Sequence, residues 1–85
     1  MKDNWINTIN KWCEYFNKRD NLEWNYVISN GTIILGERKS FTSADIKIEN
    51  ILNVLEESCE LIFQLKDGQS VSFLGYQPKI NFYTT

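Results

Sequence analysis

The chain contains no histidine, which removes both the commonest general base at neutral pH and the commonest metal ligand. Its serines and cysteines therefore have no imidazole partner, and nothing marks a lysine or glutamate for that role. No Asp-x-Asp spacing supports a carboxylate metal site, so neither a metal nor a cofactor is expected. Gly36-Glu37-Arg38-Lys39 matches neither a phosphate loop nor a dinucleotide fingerprint, because its glycine spacing fits neither. Carboxylates alone can catalyse, as in glycosidases, but 85 residues leave little room for the cleft such a site needs. The expectation is a protein that is not an enzyme.

Other scarcities narrow the class further. One proline and four glycines leave no linker or low-complexity segment, and 85 residues build one domain, 1–85, with no core to spare for a second. Nine basic against eleven acidic residues give a net charge of −2 and a pI near 5.0. That balance carries no electrostatic footprint for nucleic acid, which is not the expected partner. Without a secretory leader or a long apolar run, the chain reads as cytoplasmic and free of membrane, with Cys13 and Cys59 reduced and buried. Alanine occurs once, at Ala44, while asparagine and isoleucine are abundant; this suits an AT-rich coding sequence, as in some bacteria and their phages.

What is present is strong patterning. From Asn4 to Arg19, Trp5, Ile6, Ile9, Trp12, Cys13, Tyr15 and Phe16 fill one half of a helical wheel and polar side chains fill the other. Asp3 is placed to cap this helix, Lys18 and Arg19 complement its dipole, and Asp20-Asn21 ends it. Leu22, Trp24, Tyr26 and Ile28 then alternate with Glu23, Asn25, Val27 and Ser29, and Asn30-Gly31 turns the chain into a return strand from Thr32 to Leu35. Gly36 to Ser40 reads as a polar connector.

The clearest hairpin runs from Cys59 to Gly75. Leu61, Phe63 and Leu65 alternate with polar or outward residues, and Val71 and Phe73 repeat the pattern on the return. A two-residue turn would send the two apolar sets to opposite faces. A three-residue turn, Lys66-Asp67-Gly68 with Gly68 left-handed, pairs Phe63 with Val71 and Leu61 with Phe73, giving one apolar face. After it, Tyr76-Gln77-Pro78 breaks the ladder, and Lys79 to Tyr83 can add a short last strand.

Two patterns compete between Phe41 and Ser58. Thr42 and Asp45 fit a capping box, Phe41 and Ile46 fit a hydrophobic staple, and Ala44, Ile48, Ile51, Leu52 and Leu55 form a helical stripe. Against this, Ala44, Ile46 and Ile48 also alternate as in a strand, and Asn50 and Asn53 are indifferent helix formers. Cap and staple are independent of the stripe and agree with it, so a helix is expected. The expected fold is α+β: an antiparallel sheet of four to five strands carrying an N-terminal amphipathic helix and a second, central helix.

The three tryptophans fall on core faces and read as packing rather than as a base-stacking platform. On the expected second helix, Asp45, Glu49 and Glu56 would line one flank, and Ile62 and Leu74 would point away from the first helix on the outer sheet face. With Tyr83, these six residues form the candidate partner-binding set. The class of small, acidic chains without catalytic residues suggests stoichiometric binding. The expected partner is another protein, a basic, nucleic-acid-handling one such as a nuclease or defence effector, inhibited by a bacterial or phage-encoded binder of the immunity or anti-defence type. A nucleic-acid-binding domain and a structural subunit of a homo-oligomer are the alternatives.

Overall fold

A computed structural model describes residues 2–74 and the backbone of 79–84. One helix, α1 (Asp3–Asp20), precedes seven strands: β1 (Trp24–Ser29), β2 (Thr32–Glu37), β3 (Thr42–Lys47), β4 (Ile51–Glu57), β5 (Glu60–Leu65), β6 (Gln69–Leu74) and β7 (Lys79–Thr84). The strands form two antiparallel sheets of neighbouring hairpins, β1-β2-β3 and β4-β5-β6-β7. The α+β class stands, but the expected single sheet of four to five strands gives way to seven strands in two sheets, and the second helix does not exist. At its place lie β3, a short 3-10 turn at Ile48–Asn50, and β4.

The physical reason lies in the side chains of that stretch. Thr42, Ile46, Ile48, Ile51 and Val54 are β-branched, which disfavours helix and suits a pleated surface. The strand pattern also buries the right residues. Ile46, Ile51 and Val54 lie in the core, whereas Leu52, a member of the helical stripe, is exposed. Leu52 is the extra residue of a β-bulge: Ile51 pairs with Leu65 and Asn53 with Gln64, so Leu52 has no opposite number and is turned outward.

All three adjacent turns around these strands use left-handed backbone. Asn30 and Gly31 have φ of 51° and 72° and join Ser29 to Thr32, the two-residue turn expected of Asn-Gly. Ser58 and Cys59 have φ of 50° and 70° in the same kind of turn between β4 and β5, without either favoured residue. The β5–β6 turn has the expected three-residue form. Phe63 pairs with Val71, Leu61 with Phe73, and Gly68 has φ of 90°.

α1 packs on one face of both sheets, against β1 at one outer edge and β4 at the other, while β3 comes alongside β7. The helix thus closes the gap between the two edge strands. Trp5, Ile9, Trp12, Cys13 and Phe16 from the helix meet Trp24, Ile33, Leu35, Ile46, Ile51, Val54, Leu61, Phe63, Val71 and Phe73 in a single core. Trp12 is its hub. Its ring lies 4.9 Å from Trp24 and 5.3 Å from Phe16, and its Nε1 donates to the Cys59 carbonyl at 3.0 Å, tying the β4–β5 turn to the helix. All three tryptophans are core, as their positions in the pattern imply.

Details at the helix ends differ from expectation. Lys2, not Asp3, occupies the N-cap and makes no side-chain cap; Asp3 is the first helical residue, where its charge still complements the dipole. Asn21 ends the helix in the left-handed conformation. Tyr15, expected on the apolar side, is exposed, and Cys59, expected to be buried, is exposed while Cys13 is buried. The break at Tyr76-Gln77-Pro78 lies outside the described residues. No described helix is long and apolar enough to cross a membrane.

Candidate docking surface

The six candidate residues do not form one surface. Without a second helix there is no acidic flank. Asp45 lies in β3 opposite Ile34, Glu49 in the 3-10 turn, and Glu56 in β4 opposite Leu61. Ile62 and Leu74 are half-buried on the outer face of the second sheet, at register positions opposite Ser72 and Glu60. Ser70 and Ser72, on the same face, are themselves buried, at 6% and 0% exposed. Tyr83 is opposite Ser70 in the backbone register, and its side chain lies outside the described residues, as does Tyr76.

A different surface emerges on the first sheet. By register, its outer face carries the rows Asn25–Gly36–Ser43, Val27–Ile34–Asp45 and Ser29–Thr32–Lys47. The middle of the first row is a glycine flanked by small polar residues, which leaves a trough across the strands. A Cβ at Gly36 would stand 3.1 Å from the Thr42 carbonyl oxygen and 3.4 Å from the Ser43 Cβ. The trough opens into a shallow groove of about 410 Å³ whose walls include Val27, Ile34, Arg38 and Phe41.

Phe41 is the unusual member. Its side chain is 93% exposed and its φ is 56°, in the left-handed region that favours glycine or asparagine. Both properties count against it. Exposure forgoes roughly 1.5–3 kcal/mol of burial, and the backbone conformation costs about 1–2 kcal/mol for a residue with a bulky Cβ substituent.

The loop that carries Phe41 is held from beneath by Glu37, a residue assigned from sequence to a mere connector. Glu37 ends β2 on the helix-facing side and is 1% exposed. Its Oε2 accepts the Glu23 N–H at 2.7 Å and the Lys39 N–H at 3.1 Å, and its Oε1 accepts the Ser40 N–H at 2.7 Å. Burial pushes the carboxyl pKa up, but the hydrogen bonds from Glu23, Ser40 and Lys39 outweigh it and hold the pKa below the ordinary 4.5. Arg38 N–H donates to the Glu23 carbonyl at 3.3 Å and Lys39 Nζ to that of Asn21. The Arg38–Glu23 ion pair, at 3.9 Å and well exposed, adds little. The buried carboxylate thus fixes Lys39 and Ser40, the residues that lead into Phe41.

Neither Glu37 nor Phe41 carried a sequence signal that singles it out. Phe41 fitted a hydrophobic staple so well that its exposure was unforeseen, and a left-handed φ is invisible in composition. Among the described residues no group of three or more His, Cys, Asp or Glu is gathered closely enough to hold a metal ion. Burial, and then the charge of Glu14, push the Cys13 thiol pKa up to about 12, so it stays protonated and inert. No protein-family model, curated protein or solved structure matches the chain.

Proposed function

We propose that the protein is a non-catalytic binding module that docks stoichiometrically onto another protein through the outer face of the first sheet, with Phe41 as its anchor. The observation that carries the reading is the combination at Phe41 of near-complete exposure, a strained backbone and a loop pinned by Glu37. Strain that persists because surrounding structure enforces it is characteristic of functional positions. An aromatic side chain presented on a preorganised loop beside a groove loses little entropy on binding, which is how interface hot spots gain affinity.

The finer reading is a small bacterial or phage-encoded inhibitor of a basic, nucleic-acid-handling protein. Its support is the net charge of −2 together with Asp45 on the same face as Val27 and Ile34. Glu49 and Glu56 lie away from the groove and would act at longer range, on the association rate and its salt dependence.

The test is affinity capture from the source cell with the wild-type chain and with Phe41→Asn, followed by mass spectrometry. The reading expects a protein retained by the first and lost by the second while the fold is unchanged. Identical captured sets would refute it. Retention of either bait on a DNA or heparin column at low salt would point instead to nucleic acid.

A further inference from the structure

We propose that two copies of this chain pair through the outer edge of β1, antiparallel about a two-fold axis at Val27, so that the two first sheets become one continuous sheet. The inference concerns the sheet assigned to docking but stands on its backbone edge rather than on Phe41.

At the start of β1 the edge is closed. The Asn17 side chain accepts the Trp24 N–H at 2.6 Å and donates to the Trp24 carbonyl at 2.9 Å, taking the place a neighbouring strand would fill. Alternation then sends the N–H and C=O groups of Tyr26 and Ile28 in the same outward direction. The Tyr26 N–H is met only by the adjacent Asn25 Oδ1 at 2.8 Å. Among the described residues, the Tyr26 carbonyl and both backbone groups of Ile28 have no partner beyond the sheet. Exposure rises along the strand as α1 is left behind: Trp24 is buried, Val27 is 55% exposed and Ile28 45%, although Ile28 belongs to the helix-facing row with Ile33 and Ile46.

The edge also lacks the usual protection. Soluble proteins guard an edge strand with charge, proline or a covering element. The other outer edge, β4, ends in Glu56-Glu57 and is covered by α1. From Trp24 to Asn30 there is neither a charged residue nor a proline.

Charge and register both favour a second copy as the occupant. A basic partner would find no acid on this strand, whereas a neutral strand meets itself without repulsion. The flanks are balanced as well. Glu23 and Arg38 lie at one end of the hairpin, and Lys47 and Glu49 at the other, so antiparallel apposition brings an acid and a base to each end. Centred on Val27, the pairing sets Tyr26 opposite Ile28 of the second copy twice, the outward-facing groups exchanging hydrogen bonds in full. Val27 then faces Val27 on the outer side, and the apolar surface of Val27 and Ile34 continues across the axis.

The test is sedimentation velocity on the intact chain from about 5 to about 500 µM, because an interface of one strand pair belongs to the small, weak class. Reversible dimerisation is expected in that range. Val27→Lys and Val27→Glu should each melt like wild type but shift dimerisation to concentrations about tenfold higher or more, since like charges then face each other across the axis. An equimolar mixture of the two variants should restore the dimer. A chain that stays monomeric throughout, variants that dimerise as wild type does, or a mixture that fails to recover would each overturn self-pairing. A monomeric result leaves partner capture through Phe41 standing, so the two readings fail separately.

Discussion

Glu37→Gln removes one oxygen and the charge from a carboxylate that holds three backbone N–H groups. Placing the remaining amide oxygen where Oε2 was keeps the Glu23 and Lys39 bonds but turns an NH2 group toward the Ser40 N–H, donor against donor. The loss is one charge-assisted hydrogen bond, weakening of two others, and an unsatisfied buried donor, about 2–4 kcal/mol together. Against a total of roughly 5–15 kcal/mol for a domain, that is a large fraction. Urea denaturation monitored by tryptophan fluorescence reads it directly, because all three tryptophans are core. The pH dependence supplies an independent check. The folded pKa is depressed, so the stabilisation by the ionised carboxylate is complete above its ordinary value of 4.5 and is lost as pH falls through the folded value. The gap between wild type and Glu37→Gln should therefore be constant near neutrality and close in acid. A gap under about 0.5 kcal/mol, or one that does not change with pH, would refute the buried-anion account of this loop.

Three further outcomes follow from the backbone and the thiols. Cys59 sits at φ 70° in a two-residue turn where glycine is favoured, and the bond from Trp12 goes to its backbone carbonyl, so Cys59→Gly should raise stability by about 0.5–1 kcal/mol in the same urea assay. A thiol reagent at pH 8 should label Cys59 quickly and Cys13 only on unfolding. Because the Cys13 pKa is raised from 9.0 to about 12, its contribution to stability should be lost as pH climbs above 9.

How much of this was legible in the sequence depended on where the deciding force lay. α1, the Asn30-Gly31 turn and the Lys66–Gly68 turn with its register are set by local periodicity and turn chemistry; both turns have the expected form, and α1 forms where expected, though without the Asp3 cap and with Tyr15 exposed. The stretch from Thr42 to Glu57 did not, because its apolar residues satisfy both periods and the choice fell to partners distant in sequence: β3 pairs with β2, and β4 with β5. The turn between β4 and β5 was hidden because Ser58-Cys59 lacks the glycine or asparagine that would mark it. A second helix would set Asp45, Glu49 and Glu56 on one flank; as strand and turn residues they are separate. Strand alternation, which is local, places Ile62 and Leu74 on the face opposite Leu61 and Phe73. Glu37 and Phe41 emerged only from the folded loop, where three amides converge on one carboxylate and the chain crosses into left-handed backbone.

If Phe41 is kept for docking at a cost to the isolated chain, as proposed, the stability of Phe41→Asn tests it most directly. Asparagine tolerates the left-handed region and loses nothing by being exposed, so the variant should be more stable than wild type by about 0.5–1 kcal/mol in urea denaturation. A variant less stable than wild type would mean that the Phe41 ring stabilises the free fold, and would contradict the claim.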